Sequence, residues 1–114
     1  MSTVLKIHER DNAVIARPEI AKFDLELTAQ LREELTQVSS GSEGKPLLID
    51  LSVVDVLPSV TIGALVELAN RCRKDKRSLA LIRLQPKVLE ILRVCALDKL
   101  FTIHADEAEA LASL

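Results

Sequence analysis

A chain of 114 residues has the length of one domain and can withdraw roughly two thirds of its unfolded surface from water. With 48% hydrophobic and 28% charged residues it is neither a disordered nor a collagen-like chain, and a net charge of −2 gives no global pull towards nucleic acid or anionic membranes. Phe23 and Phe101 are its only aromatic residues, so the core is aliphatic and platforms for stacking bases or sugars are not expected.

Thr3–Ile7 and Ala13–Arg17 are β-rich runs around His8 to Asn12, where the Asp11-Asn12 pair favours a turn, and together they read as a hairpin. Leu27, Leu31, Leu35 and Val38 recur at helical spacing, with Asp24 placed ahead of them to accept from unpaired amides. This predicts a helix over Leu25–Val38, stopped by the glycine- and serine-rich loop Ser39–Lys45. Leu47 to Leu51 is an apolar run of the kind buried on both faces of a parallel sheet. Asp50 alone interrupts it and is expected to face the sheet edge or to accept backbone hydrogen bonds.

Ile62, Leu65, Val66, Ala69 and Cys72 place a second helix over about Val60–Lys74, with Ser59 as its cap behind Pro58. The Arg71–Arg77 run, RCRKDKR, reads as the solvated basic end of that helix, with docking of an acidic partner as the alternative. Leu79–Leu84 reads as another buried strand, and Pro86 opens a third helix with Val88, Ile91, Leu92 and Cys95 on its apolar face. Phe101–Ile103 is a short strand, and Asp106–Leu114 a terminal helix with Ala108, Leu111 and Ala112 facing in. His8 and His104 fall just past predicted strands and read as solvated loop residues. Strands alternating with helices make an α/β domain with a mixed sheet, a single unit over residues 1–114.

Several function classes find no support. Cys72 and Cys95 lack Cys-x-x-Cys spacing and are expected to be buried reduced thiols, and neither Asp24 nor Asp50 has a partner at metal-ligand spacing. There is no Gly-x-Ser-x-Gly elbow, no Gly-x-Gly-x-x-Gly and no Walker sequence, so no enzyme, no cofactor and no metal is expected. The absence of an apolar stretch of membrane-spanning length, and of a long apolar segment within MSTVLKIHER, leads to the expectation of a cytoplasmic protein without membrane insertion.

Val54 to Leu65, VDVLPSVTIGAL, resembles without a gap the signature V-E-F-I-D-S-S-G-L-G-A-L of the STAS family, the sulfate transporter and anti-sigma factor antagonist domain. Phe23 to Leu31, FDLELTAQL, is similar to that family's L-D-L-A-T-A-E-E-L, and Leu97 to Phe101, LDKLF, to its L-D-R-L-F. The resemblance spans nearly the whole chain. It implies a mixed sheet of about four to five strands with about four helices packed mainly on one face.

In antagonists of this family a serine at the turn is phosphorylated by an anti-sigma kinase, and only the unmodified form binds that kinase. Matched residue by residue, the family's aspartate falls on Pro58, its first serine on Ser59, its usually modified serine on Val60 and its glycine on Thr61. Val60 has no hydroxyl, which leaves Ser59 and Thr61 as phosphorylation candidates. Either an offset acceptor is used or the switch is lost. A helix start presents free amides and partial positive charge that tolerate a phosphate, while a phosphate in an apolar contact must be desolvated and weakens it. Asp24 matches the aspartate of the upstream motif, as a helix cap or as part of a recognition surface with Pro58, Ser59, Val60, Thr61 and Ile62.

The resemblance implies a bacterial, non-enzymatic signalling module acting in transcription regulation. It would bind an anti-sigma factor or serine kinase, or other STAS chains, with a weak homodimer among its associations. The alternative is a STAS subunit on the cytoplasmic face of a lipid or anion transporter, without a phosphorylation switch. A third reading, a nucleotide or small-molecule binder using the amides after Pro58, belongs to a separate class.

Overall fold

A computed structural model describes residues 3–41 and 44–113. Their order is β1 (Leu5–Glu9), β2 (Val14–Pro18), α1 (Leu25–Ser40), β3 (Leu47–Asp50), α2 (Ser59–Lys74), β4 (Leu79–Ile82), α3 (Pro86–Val94), β5 (Thr102–His104) and α4 (Glu107–Ala112). The strands form one sheet in the order β1-β2-β3-β4-β5, with β1 antiparallel to β2 and every other pair parallel. Each parallel step moves to the next position in the same direction. Right-handed crossovers then require α1, α2 and α3 to lie on a single face.

The core follows this geometry. Val14, Ala16, Leu47, Ile49 and Leu81 point to the face where Leu31 and Leu35 of α1, Leu65 and Leu68 of α2, and Val88 and Leu92 of α3 are buried. The alternate residues Ala13, Ile15, Leu48, Ala80 and Ile82 form a smaller cluster on the opposite face, closed by Ala110 of α4. Leu47, Leu48 and Ile49 are fully buried, as expected of a central strand covered on both sides. The fold is the α/β mixed sheet with helices mainly on one face that the resemblance implies.

Several local expectations need correction. Both strands of the hairpin lie further along the chain than the sequence suggests, so His8 sits within β1, opposite Ile15. Likewise His104 ends β5, where its ring faces Glu109 Oε1 at 3.2 Å and Ser113 Oγ at 3.0 Å. In α4 the inward residue is Ala110; Ala108 and Ala112 are exposed, Leu111 is half-buried, and Leu114 lies outside the described residues. Cys72 is buried as expected, whereas Cys95, the residue that closes α3, is exposed. The loop after α1 begins at Gly41, and Ser42 and Glu43 also lie outside the described residues.

The basic run is not simply a solvated end. Arg77 is buried, and its Nε donates to the Lys45 carbonyl at 2.5 Å while Nη1 donates to the Ser39 carbonyl at 3.0 Å. It ties the end of α1 to the start of β3. Arg73, Lys74 and Lys76 remain exposed.

Candidate functional site

The carboxyl ends of β2, β3 and β4 bring three loops to one edge, the position at which open α/β sheets usually receive ligands and partners. The first two are sewn together by backbone bonds, as Asp55 and Val56 both donate from N–H to the Ala21 carbonyl at 2.7 and 3.0 Å. The third is joined by Gln85, whose Nε2 donates to the Ser52 carbonyl at 2.9 Å, and by an ion pair between Lys87 and Asp55. Asp50, at the end of β3, is buried and accepts from Ser52 N–H at 2.9 Å, as expected. Arg83 Nε stands 3.7 Å from its other oxygen.

Helix α2 starts from this edge differently from the sequence reading. Ser59 is its first helical residue and Pro58, extended at φ −63° and ψ 159°, is the cap. No side chain closes the end. The N–H groups of Thr61 and Ile62 both go to the Pro58 carbonyl at 3.0 Å, so the bond expected from Ser59 Oγ is not made. Proline suits this place because it has no N–H to leave unpaired and its ring fixes φ near the observed value. The hydroxyl of Ser59 is thereby left on an exposed side chain.

The two candidate hydroxyls separate completely. Thr61 is fully buried, and its Oγ1 is 2.9 Å from Oγ1 of Thr28 on α1. A phosphoryl group there would carry about −1.5 to −2 charges into a closed interface between two helices, so Thr61 is not an accessible acceptor. Ile62 is buried as well and adds no surface for a partner. Pro58 and Val60 are half-buried and Ser59 is exposed, which leaves these three of the motif at the surface.

Asp24 sits beside them on the neighbouring loop. Its Oδ1 accepts from Leu27 N–H at 2.8 Å as the cap of α1, and the residue remains exposed. Two apolar side chains at the same edge were not singled out from the sequence: Leu25 is 74% exposed and Val56 42% exposed. Their signal was weak, because isolated apolar residues beside a cap and in a loop carry no periodicity. Thr28 did have a signal. It continues the Leu31 and Leu35 stripe one turn back, where a hydroxyl among leucines calls for a buried partner.

Ser113, His104 and Glu109 stand in the order of a hydrolytic triad, but their surroundings do not suit acyl transfer. Ser113 Oγ donates to the Ala110 carbonyl at 2.9 Å and lies at the carbonyl end of α4, where the dipole opposes an oxyanion. Among the described residues there is no group of three or more His, Cys, Asp or Glu fit to hold a metal ion. No described helix is long and apolar enough to cross a membrane.

The STAS domain family model matches residues 5–110. The chain belongs to the STAS domain family. Its backbone superimposes on a STAS domain protein of the anti-sigma factor antagonist type from Planctomyces limnophilus, at TM-score 0.86 and 21% identity, covering 96% of each chain. An anti-sigma factor antagonist from Mycobacterium paratuberculosis gives 0.80 at 21% identity, covering 98% of this chain and 93% of that one. A variant of RsbS from Moorella thermoacetica gives 0.79 at 22% identity, covering 96% and 92%. Likeness at these identities is one of fold. Thr61, which the resemblance matches to the glycine of the family signature, pairs its hydroxyl with Thr28 between α1 and α2.

Proposed function

We propose that this protein is a non-enzymatic regulatory module, an anti-sigma factor antagonist-like STAS domain that binds an anti-sigma factor or serine kinase, or a related STAS chain. The docking surface of this reading is the edge bearing Asp24, Leu25, Val56, Pro58, Ser59 and Val60. Family membership and the exposed start of α2, which no side-chain hydrogen bond closes, support it. Leu25 and Val56 supply apolar area that a partner can bury, and Asp24 supplies a charge that sets orientation. The module acts as a cytoplasmic bacterial signalling protein.

The observation that carries the regulatory part is the separation of Ser59 from Thr61. Ser59 is the acceptor left exposed in the motif, and the first turn of α2 holds no acidic residue. The amides at that end and the helix dipole accommodate a phosphate without unfolding the domain. In a contact with a partner the same phosphate must lose its water, and the complex weakens. Incubation with the cognate serine kinase and ATP, followed by mass spectrometry, should locate one phosphate on Ser59. Modification elsewhere, or none together with unchanged partner binding by Ser59→Asp, would overturn the switch.

Val60 favours a second reading. Because the position usually modified in the family has no hydroxyl, the chain also suits a constitutive STAS subunit of a lipid or anion transporter assembly. Co-purification with a membrane permease, insensitive to charge at residue 59, would select it over the first.

A further inference from the structure

At the end of the sheet opposite Ser59, a cavity of about 210 Å³ opens where β4 and β5 begin. Its lining brings Arg73 and Arg77 together with Leu79, Leu100, Phe101 and Thr102. Arg77 is 8% exposed, and its partners among the described residues are all neutral carbonyls: Lys45 to Nε, and Ser39 to Nη1 with Val38 and Gly41 at 3.5 Å. Its Nη2 is a buried nitrogen without a partner among the described residues. Among the described residues no carboxylate lies within ion-pair distance of Arg77, Arg73, Lys74 or Lys76.

A buried guanidinium ordinarily has a counter-charge. The carbonyls at the end of α1 supply part of it, because a helix terminus carries about half a negative charge. Among the described residues nothing compensates the remainder, and exposed Arg73 adds a second cation to the same cavity. Leu79, Leu100 and Phe101 add apolar lining. The space is smaller than the roughly 300–1,000 Å³ of sites for drug-sized ligands.

We propose that this cavity binds a small organic carboxylate, with its oxygens towards the two guanidiniums and a short apolar body against Leu79, Leu100 and Phe101. The unpartnered Nη2 of Arg77 offers one charge-assisted hydrogen bond to a carboxylate oxygen, and the guanidinium of Arg73 faces the other. The site is independent of the Ser59 edge and stands whether or not that edge binds a kinase.

The test is an amide-resolved NMR titration of the intact protein at constant ionic strength with butyrate, butyramide and inorganic phosphate. Butyrate should give saturable shifts centred on Leu100, Phe101 and Thr102. Butyramide, which keeps the shape and loses the charge, should bind at least about tenfold more weakly, as should butyrate to Arg73→Gln, each having lost a charge-assisted hydrogen bond. Arg73 is exposed, so that variant retains the fold, and its spectrum checks this directly. Equal binding of butyramide would reduce the cavity to an apolar crevice and overturn the proposal. Phosphate saturating the same amides more tightly than butyrate would show a site that reads charge alone, and absence of saturation by butyrate would show no site; both refute it.

Discussion

Thr28 and Thr61 face one another across the α1–α2 interface with their hydroxyl oxygens 2.9 Å apart, and both are fully buried. The pair sits directly behind the start of α2 and holds that turn against its neighbour. Valine has nearly the shape of threonine without the hydroxyl, so Thr28→Val or Thr61→Val leaves the remaining oxygen buried without a donor or acceptor. Each single change should cost about 1–3 kcal/mol in urea unfolding. The double change should cost less than the sum of the singles, since it removes both polar groups together. Additive losses would show that the hydroxyls do not act as a pair.

Ser59 should behave as an ordinary first-turn residue rather than as a cap. Because no side chain bonds to the amides of Thr61 or Ile62, Ser59→Ala is expected to change stability by no more than about 0.5 kcal/mol, where loss of a serine cap would cost about 1 kcal/mol. Ser59→Asp places a negative charge at the amide end of α2 and should be neutral or stabilising by about 0.3–1 kcal/mol at low salt. Thermal unfolding of the three proteins decides between the two arrangements. A loss of about 1 kcal/mol in the alanine variant would restore the cap.

The sequence and the structure part company where one side chain does two jobs. The strands and helices were legible because their apolar residues repeat at clear periods, and the Leu47–Ile49 strand carries its burial on its face. The edge near Ser59 was legible as a place, through the resemblance. Which hydroxyl it exposes was not, because a shift of one residue at a helix start rotates a side chain by about 100° and the choice of Pro58 as cap decides the phase. Arg77 was misread for a different reason: it ends a run of cations that looks solvated, and its carbonyl partners at Ser39 and Lys45 are distant in sequence and have no signature.

Two helices end on residues that pay for their backbone. Lys76 at φ 57° and Ala96 at φ 59° occupy the left-handed region after α2 and α3. In each case the next residue reaches back across the turn, Arg77 N–H to the Cys72 carbonyl and Leu97 N–H to the Leu92 carbonyl, both at 2.8 Å. This is the closing arrangement that glycine usually provides. Both side chains are exposed, so Lys76→Gly and Ala96→Gly should each stabilise by about 0.5–1 kcal/mol after the greater freedom of glycine in the unfolded chain is subtracted. The two effects should add, being at the ends of different helices. Unfolding midpoints that fall in either variant would show that the turn needs its side chain.

The two thiols should differ in both accessibility and titration. Cys95 is exposed and should react with a thiol reagent at once, whereas Cys72, buried in α2, should react only as the domain opens. Burial pushes the Cys72 thiol up, and the nearby charges of Arg77 and Arg71 offset this only in part. The folded state therefore holds the Cys72 proton more tightly than the unfolded chain does. Its contribution to stability is complete below the ordinary thiol range of about 8.5 and is lost as pH rises from there through the raised folded value. Unfolding free energies measured from pH 7 to pH 10 should fall more steeply for the natural protein than for Cys72→Ala, with the difference opening above about pH 8.5. Parallel profiles for the two proteins would mean that the thiol ionises alike in both states and that its surroundings are wetter than the packing of α2 against the sheet implies.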